Sequence, residues 1–150
     1  MAINIQKYSV RLVKEEGGRY ELKKTIKTPQ NAYQIFVEVL EMDCRAQEIF
    51  SILTLDIKSN LTGIFEVSVG GLHSSIVHPR NVFQRAILQN AAAIVMAHNH
   101  PSGNPKPSND DIKITKKLIS AGEILGIEIM DHLVIGDSNH FISMKEKELI

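Results

Sequence analysis

Two histidines and an aspartate within one short segment form the most chemically informative pattern in the chain. His98 and His100 end an apolar run, residues 91–97, and Asp111 follows a loop rich in glycine, proline and serine. Residues two apart on an extended backbone point to the same side, so both imidazoles can face one ion. Two imidazoles and one carboxylate are a typical ligand set for a catalytic zinc with an open fourth position. The pattern therefore predicts one zinc ion per chain, held by His98, His100 and Asp111.

The loop after His100 must return the chain so that Asp111 meets the two histidines. It contains Gly103 and three prolines, which suit a fixed rather than a mobile return. Ser108 is predicted to cap the next helix, where the helix dipole favours a carboxylate at position 111. The same Ser-x-x-Asp letters also describe a capping box, in which Asp111 only satisfies a backbone N–H. Ordinary capping does not require His-x-His upstream, so the joint pattern favours the metal.

Periodicity predicts the elements that position these residues. Residues 4–27 alternate like a β-hairpin, and Thr28-Pro29 starts a helix. Further helices are predicted from His78-Pro79 and from Ser108 to Gly126, and strands over residues 49–57, 61–69, 92–97, 127–135 and 141–144. This order predicts an α/β fold: a single-domain mixed-sheet sandwich with helices on both faces and an N-terminal β-hairpin and helix. Residues 1–44 are expected to pack on a core built from residues 45–150.

Composition limits the functional classes. The 17 Lys and Arg residues balance 17 Asp and Glu residues, so charge gives no support to DNA or DNA-repair proteins as partners without excluding them. Cys44 is the single cysteine, which rules out an internal disulfide and a thiolate metal cluster and suits a reducing cytoplasm. Neither a signal peptide nor a membrane-spanning run is present, so we expect a cytoplasmic protein without a membrane partner. The oligomeric state stays open.

A zinc hydrolase also needs a general base, and the residues alone do not settle which one it is. Glu48, directly before the predicted strand 49–57, is the first candidate, whereas Asp56 and Glu66 are weaker ones. Taken alone, Glu48 is more simply a solvated residue. His132, on a predicted strand, is either a partner that orients a metal ligand or a structural histidine.

Several strings of the sequence resemble a known family. Residues 98–111 match His-x-His-Pro, six residues, then Ser-x-x-Asp, which resembles the motif of the JAMM (JAB/MPN) metalloproteases. Four strings are similar to the RadC branch of that superfamily: His-Asn-His-Pro-Ser-Gly at 98–103, Ser-Ile-Val-His-Pro-Arg at 75–80, Asn-Ala-Ala-Ala at 90–93, and Leu-Gly-Ile at 125–127 followed by Asp-His-Leu-Val-Ile-Gly at 131–136. The similarity runs from about residue 45 to the C-terminus, which would make residues 45–150 a RadC-like JAMM/MPN domain.

This resemblance implies both a fold and a chemistry. The fold would be the JAMM type, which is related to cytidine deaminases. The zinc ligands would be His98, His100 and Asp111, with Ser108 steadying the oxyanion or the metal water and Glu48 acting as the acid and base. The implied activity is that of a zinc-dependent hydrolase, a metallopeptidase or isopeptidase, acting on a peptide or isopeptide substrate.

Other functions share parts of the pattern. The letters His-Asn-His suggest a nuclease, but such nucleases spread these residues over a ββα unit. A zinc deaminase uses a Pro-Cys-x-x-Cys pair that Cys44 alone cannot supply. A metal-stabilised interaction module in DNA repair or mobile-element metabolism remains the alternative. RadC proteins often carry an N-terminal helix-hairpin-helix region, which residues 1–44 do not resemble, so no DNA role is implied for that part.

Overall fold

The computed structural model describes residues 1–70, 77–137 and 139–150. Three helices and five strands alternate along the described part of the chain. In chain order they are α1 (Pro29–Leu40), β1 (Ile49–Leu55), β2 (Leu61–Val69), α2 (Pro79–Leu88), β3 (Ala93–Asn99), α3 (Asn109–Leu125), β4 (Glu128–Ile135) and β5 (Phe141–Ser143). Pro29 and Pro79 begin α1 and α2, where the missing N–H removes no helical bond.

All five strands form one sheet in the order β2-β1-β3-β4-β5. The pair β3–β4 is parallel, with α3 as the crossover between its strands, and the other three pairs are antiparallel. In the β1–β3 ladder, Phe50 lies opposite His98. Glu48 lies two residues before Phe50 and His100 two residues after His98, so both lie at this end of the β1–β3 pair. The predicted α/β fold with a mixed sheet is confirmed.

The sheet is covered on both faces, so β1 and β3 are buried along their whole length. One apolar cluster joins α1 to the sheet through side chains that include Ile35, Phe36, Leu53, Val95 and Leu133. The other joins α2 and α3 to the opposite face through side chains that include Phe50, Ile52, Phe83, Met96 and Leu118. Neighbouring residues of a strand therefore alternate between the α1 face and the α3 face.

A one-residue bulge interrupts the β3–β4 ladder near its beginning. Ile94 lies opposite Ile129, but the next residue, Val95, lies opposite Asp131, so Met130 has no counterpart on β3. After the bulge, His132 lies opposite Met96 on the α3 face. The bulge therefore sets the direction of every side chain in the second half of β4.

The predicted β-hairpin over residues 4–27 is wrong. The structure describes all of residues 1–23 and assigns none of them to a strand, and Tyr8 and Val10 remain 80% and 71% exposed. A two-stranded hairpin without an apolar surface to cover is marginal in water. The chain instead meets β2 at its beginning, where Thr25 bridges Asn60. The division at residues 44 and 45 stays a prediction, although α1 packs on the sheet as expected.

Two other expectations concern element ends and membrane crossing. The strand predicted over residues 49–57 ends at Leu55, because the Asp56 carboxylate accepts hydrogen bonds from the backbone N–H groups of Lys58 and Asn60 and closes a tight turn. The string at 75–80 begins with two residues that lie outside the described part. Among the described helices, none has the length and apolar composition that crossing a membrane requires.

Candidate metal centre

The two histidines lie where β3 ends and the chain turns into the loop. His98 is on the α3 face of β3 and is 2% exposed, while His100 follows the strand and is half-buried. Asn99, between them, points to the α1 face, as alternation predicts. The backbone N–H of His100 donates to the carbonyl of Ile135, which fastens the strand end to β4.

The N-terminus of α3 brings Asp111 to the histidines through a complete capping box. The backbone N–H of Asp111 donates to the Ser108 hydroxyl at 3.0 Å, and the N–H of Ser108 donates to Asp111 Oδ2 at 2.7 Å. That same Oδ2 atom lies 3.4 Å from Nε2 of His98 and 3.4 Å from Nε2 of His100. The capping box and the candidate metal site are therefore not alternatives, because the cap directs the carboxylate toward the histidines.

The three facing atoms have the spacing of a metal site. The Nε2 atoms of His98 and His100 are 3.1 Å apart, and each lies 3.4 Å from Asp111 Oδ2. Ligand atoms of a tetrahedral zinc with bonds of about 2.0–2.1 Å lie about 3.3 Å from one another. The residues present therefore fit zinc in both donor type and spacing, and they form a candidate metal site.

The hydrogen bond on the far side of His100 determines which ring nitrogen is free. Its Nδ1 lies 2.8 Å from the carbonyl oxygen of Asn104, which can only accept, so Nδ1 carries a proton. The neutral ring then has a lone pair on Nε2. The hydrogen bond with Asp111 raises the pKa of His100, with smaller contributions from the Asn104 carbonyl and the charge of Glu48, while burial opposes them.

Burial alone raises the pKa of Asp111, but the His100 and His98 rings that face its carboxylate outweigh burial and hold that pKa well below its usual value. The carboxylate is thus ionised and available to a cation.

A second buried histidine stands directly behind His98. Nδ1 of His98 lies 2.8 Å from Nε2 of His132, and Nδ1 of His132 lies 2.6 Å from the Thr115 hydroxyl. The rings of His132 and Phe50 pack edge to face, with centroids 5.4 Å apart. Burial lowers the pKa of His132 well below its usual value, and the nearby His98 ring acts in the same direction. The His132 ring is therefore neutral at neutral pH.

Glu48, the first candidate for the base, lies at the same end of the sheet. It directly precedes β1 and is partly buried, and its charge contributes to the raised pKa of His100. Its backbone is held from both sides by Asn99: the N–H of Ile49 donates to Asn99 Oδ1 at 2.7 Å, and Asn99 Nδ2 donates to the carbonyl of Gln47 at 3.1 Å. Asn99 thus links the strand that carries the histidines to the segment that carries Glu48.

The two weaker candidates for the base lie elsewhere. Asp56 follows the far end of β1, where its carboxylate closes the turn to Asn60. Glu66, on β2, forms an ion pair with Arg45. The structure therefore brings Glu48, and neither of these acids, toward the histidines.

A close backbone approach fixes the loop that holds His100. Gly103 has φ +84°, in the left-handed region, and its N–H donates to the carbonyl of His100. A Cβ on Gly136 would lie 2.3 Å from the carbonyl oxygen of Gly103, so only glycine fits there. The loop is thereby pressed against the end of β4.

Comparison with known proteins agrees with this fold. The profile of the RadC-like JAB domain family matches residues 26–149. The chain therefore belongs to the RadC-like JAB domain family, part of a superfamily that includes metalloproteases. The matched range includes His98, His100 and Asp111 as well as α1.

Curated relatives carry the name UPF0758 protein. One from Syntrophomonas wolfei is 44% identical over 146 residues, which cover 96% of this chain and 62% of the relative. One from Alkaliphilus oremlandii is 52% identical over 125 residues, covering 83% of this chain and 53% of the relative. One from Moorella thermoacetica is 46% identical, covering 87% of this chain and 56% of the relative. The chain thus spans somewhat more than half the length of these relatives.

Proposed function

We propose that the chain is a zinc-dependent hydrolase of the metallopeptidase or isopeptidase type, with one zinc per chain. One observation carries the proposal: Nε2 of His98, Nε2 of His100 and Oδ2 of Asp111 converge within 3.1–3.4 Å. With the proton of His100 on Nδ1, toward the Asn104 carbonyl, Nε2 of His100 and the ionised Asp111 carboxylate are acceptors that face each other. Such a set repels itself unless a cation or a proton lies between its members.

The residues around the cluster supply the remaining chemistry of amide hydrolysis. When bound, zinc would provide the positive charge that acidifies a water molecule and polarises a carbonyl group at neutral pH. Glu48 would accept the proton of the attacking water and deliver it to the leaving nitrogen. The Ser108 hydroxyl accepts from the N–H of Asp111, so its own proton is free to be donated to the developing oxyanion. Ser108 is exposed, which lets a substrate reach it.

The proposed substrate is a peptide or isopeptide bond, and the proposed compartment is the cytoplasm. The exposed thiol of Cys44 supports a reducing environment. The balance of 17 basic and 17 acidic residues offers no electrostatic attraction to DNA. An interaction module in DNA repair or mobile-element metabolism would need the metal but not Glu48, which makes Glu48 the discriminating residue.

The experiment combines metal analysis with hydrolysis of a panel of fluorogenic peptide and isopeptide substrates. Wild-type protein should contain about one zinc per chain, and His98→Ala should contain almost none. Glu48→Gln should keep its zinc and lose hydrolysis by about 10²-fold or more. Asp56→Asn is the matched control, since it removes an acid at the far end of the same strand, and it should stay active.

Equal zinc in wild type and His98→Ala would remove the metal assignment. Hydrolysis that survives in Glu48→Gln would exclude Glu48 as the base. A zinc-loaded wild type that cleaves nothing in the panel, while Glu48→Gln still binds a partner protein as the wild type does, would favour the interaction module.

A further inference from the structure

The side chains behind His98 form a hydrogen-bonded chain on the side of the ring away from Nε2. His98 contacts His132 at 2.8 Å, His132 contacts the Thr115 hydroxyl at 2.6 Å, and that hydroxyl lies 2.6 Å from the backbone carbonyl oxygen of Asp111. Thr115 and His132 are both fully buried. Since Asp111 is itself a member of the cluster, this chain joins two candidate ligands from behind.

The position of each proton in this chain follows from the contact between the Thr115 hydroxyl and the Asp111 carbonyl oxygen. Two oxygens only 2.6 Å apart need a proton between them, and a carbonyl has none, so the Thr115 hydroxyl donates to Asp111. The hydroxyl has a single proton, so its 2.6 Å contact with His132 requires that Nδ1 of His132 be the donor. The bond from Thr115 to the Asp111 carbonyl is the i to i−4 bond that a threonine often makes within a helix. The same hydroxyl oxygen also accepts the N–H of His132.

The same count continues to His98. His132 is fully buried, and the hydrogen-bond contacts of its ring are to a hydroxyl and an imidazole, neither of them an anion, so the ring is neutral. With its proton on Nδ1, it has a bare Nε2, which can only accept. The 2.8 Å contact between that Nε2 and Nδ1 of His98 then requires the proton on His98. With Nδ1 protonated, a neutral His98 presents a lone pair from Nε2 to His100 and Asp111.

We propose that Thr115 and His132 are positioning residues that hold His98 in the tautomer with a bare Nε2, ready for a cation. The proposal rests on the proposed metal site, but the tautomer is a property of the protein before any metal binds. Metal-binding histidines usually donate their second nitrogen to a carboxylate, a carbonyl or a water. In this chain the acceptor for His98 is the neutral ring of His132, which donates to Thr115. Thr115 in turn donates to the carbonyl of Asp111.

Packing holds the rings of His98 and His132 in a single orientation. Phe50 lies edge-on to His132, and the sulfur of Met144 lies 3.7 Å from the Thr115 hydroxyl. The second half of β4 carries His132 opposite Met96, so the ring cannot leave the α3 face without breaking the ladder. The rings of His98 and His132 therefore have one orientation relative to each other.

Histidine ¹⁵N NMR on metal-stripped protein and zinc titration against a chromophoric chelator test the proposal. In the wild type, His98 should show a protonated Nδ1 and a bare Nε2. Thr115→Val keeps the shape but removes the hydroxyl, so it should disturb this tautomer and weaken zinc binding about 10- to 100-fold. Thr115→Ser, which restores the hydroxyl, should restore both. Ser120→Ala is the matched control, because Ser120 makes the same helical bond, to Lys116, on an exposed face.

Each outcome decides the matter. A wild-type His98 with its proton on Nε2, or a Thr115→Val variant that binds zinc as tightly as the wild type, would overturn the proposal. The wild-type spectrum alone suffices should Thr115→Val fail to fold. If the wild type binds no zinc, the proposed function fails by itself, and the metal-free spectrum still tells whether Thr115 and His132 set the tautomer.

Discussion

The two histidines of the candidate metal centre are held in different ways. His98 is buried in the sheet, and side chains from β4 and α3 support it from behind. His100 is half-buried, and the main chain of a loop supports it through the carbonyl of Asn104. Both arrangements leave Nε2 directed at Asp111. The same result is thus reached once by a side-chain network in the core and once by backbone geometry at the surface.

This difference predicts unequal costs for losing each ligand. His98→Ala and His100→Ala should both abolish zinc binding, but only His98→Ala leaves a cavity and an unpaired His132 in the core. In metal-free protein, His98→Ala should lower the free energy of unfolding by about 3 kcal/mol, and His100→Ala by about 1 kcal/mol or less. Urea unfolding in the presence of a chelator measures both values. Equal losses of stability would show that the core supports His98 no more strongly than the loop supports His100.

The loop side should be sensitive at a position that carries no side chain. Gly136→Ala would place a Cβ 2.3 Å from the Gly103 carbonyl oxygen and 2.9 Å from Cδ of Pro105. We expect a loss of about 1–3 kcal/mol in stability, because the loop must move, together with weaker zinc binding through His100. Gly17→Ala is the control, since a Cβ there meets nothing within 4 Å. Unchanged stability in Gly136→Ala would mean that the loop adapts freely.

The pH dependence of the stability of metal-free protein should distinguish the buried support of His98 from the loop support of His100. This is the smallest of the expected effects. Burial lowers the pKa of His132 below the value of about 6.5 in an unfolded chain, so the unfolded state takes up the proton first. The stability that His132 contributes is complete above pH 6.5 and falls below it, by at most about 1.4 kcal/mol per pH unit. The hydrogen bond with Asp111 raises the pKa of His100, so its contribution is complete below about pH 6.5 and is lost only above that pH.

Between about pH 6.5 and 5, the slope therefore reports His132, because the contribution of Asp111, whose pKa is lowered, is lost only below the ordinary range of an aspartate near 3.9. His132→Gln should flatten this slope, and His140→Gln, which changes an exposed ring, should leave it unchanged. A slope that persists in His132→Gln would assign the acid sensitivity to another group.

Local patterns predicted the parts of the site that lie close together in the sequence. The spacing of His98 and His100, the alternation that turns Asn99 away and the cap at Ser108 all depend on a few neighbouring residues. Glu48 needed the resemblance to a family, because its place at the histidine end of the sheet depends on how β1 pairs with β3. The hairpin failed for the opposite reason: residues 4–20 have a local alternating pattern, but their apolar side chains, such as Tyr8 and Val10, remain exposed.

The supporting residues show where such patterns end. Thr115 was not predicted, although its spacing of four from Asp111 puts both on one face of α3. The role of His132 could not be decided by counting along its strand, because the bulge at Met130 changes the phase of the alternation. The contacts of His132 with His98 and Thr115 appear only in the folded structure.

The bulge at Met130 determines which of two neighbouring polar residues, Asp131 or His132, lies on the α3 face. A regular ladder that continued from the Ala93–Glu128 pair would place Asp131, rather than His132, opposite Met96. An anion would then stand behind His98, while the imidazole would turn toward α1. The extra residue instead sends Asp131 to the other face, where its carboxylate accepts from the Ser143 hydroxyl at 2.6 Å. The one-residue bulge at Met130 thus determines whether the side chain behind His98 is a neutral imidazole or a carboxylate.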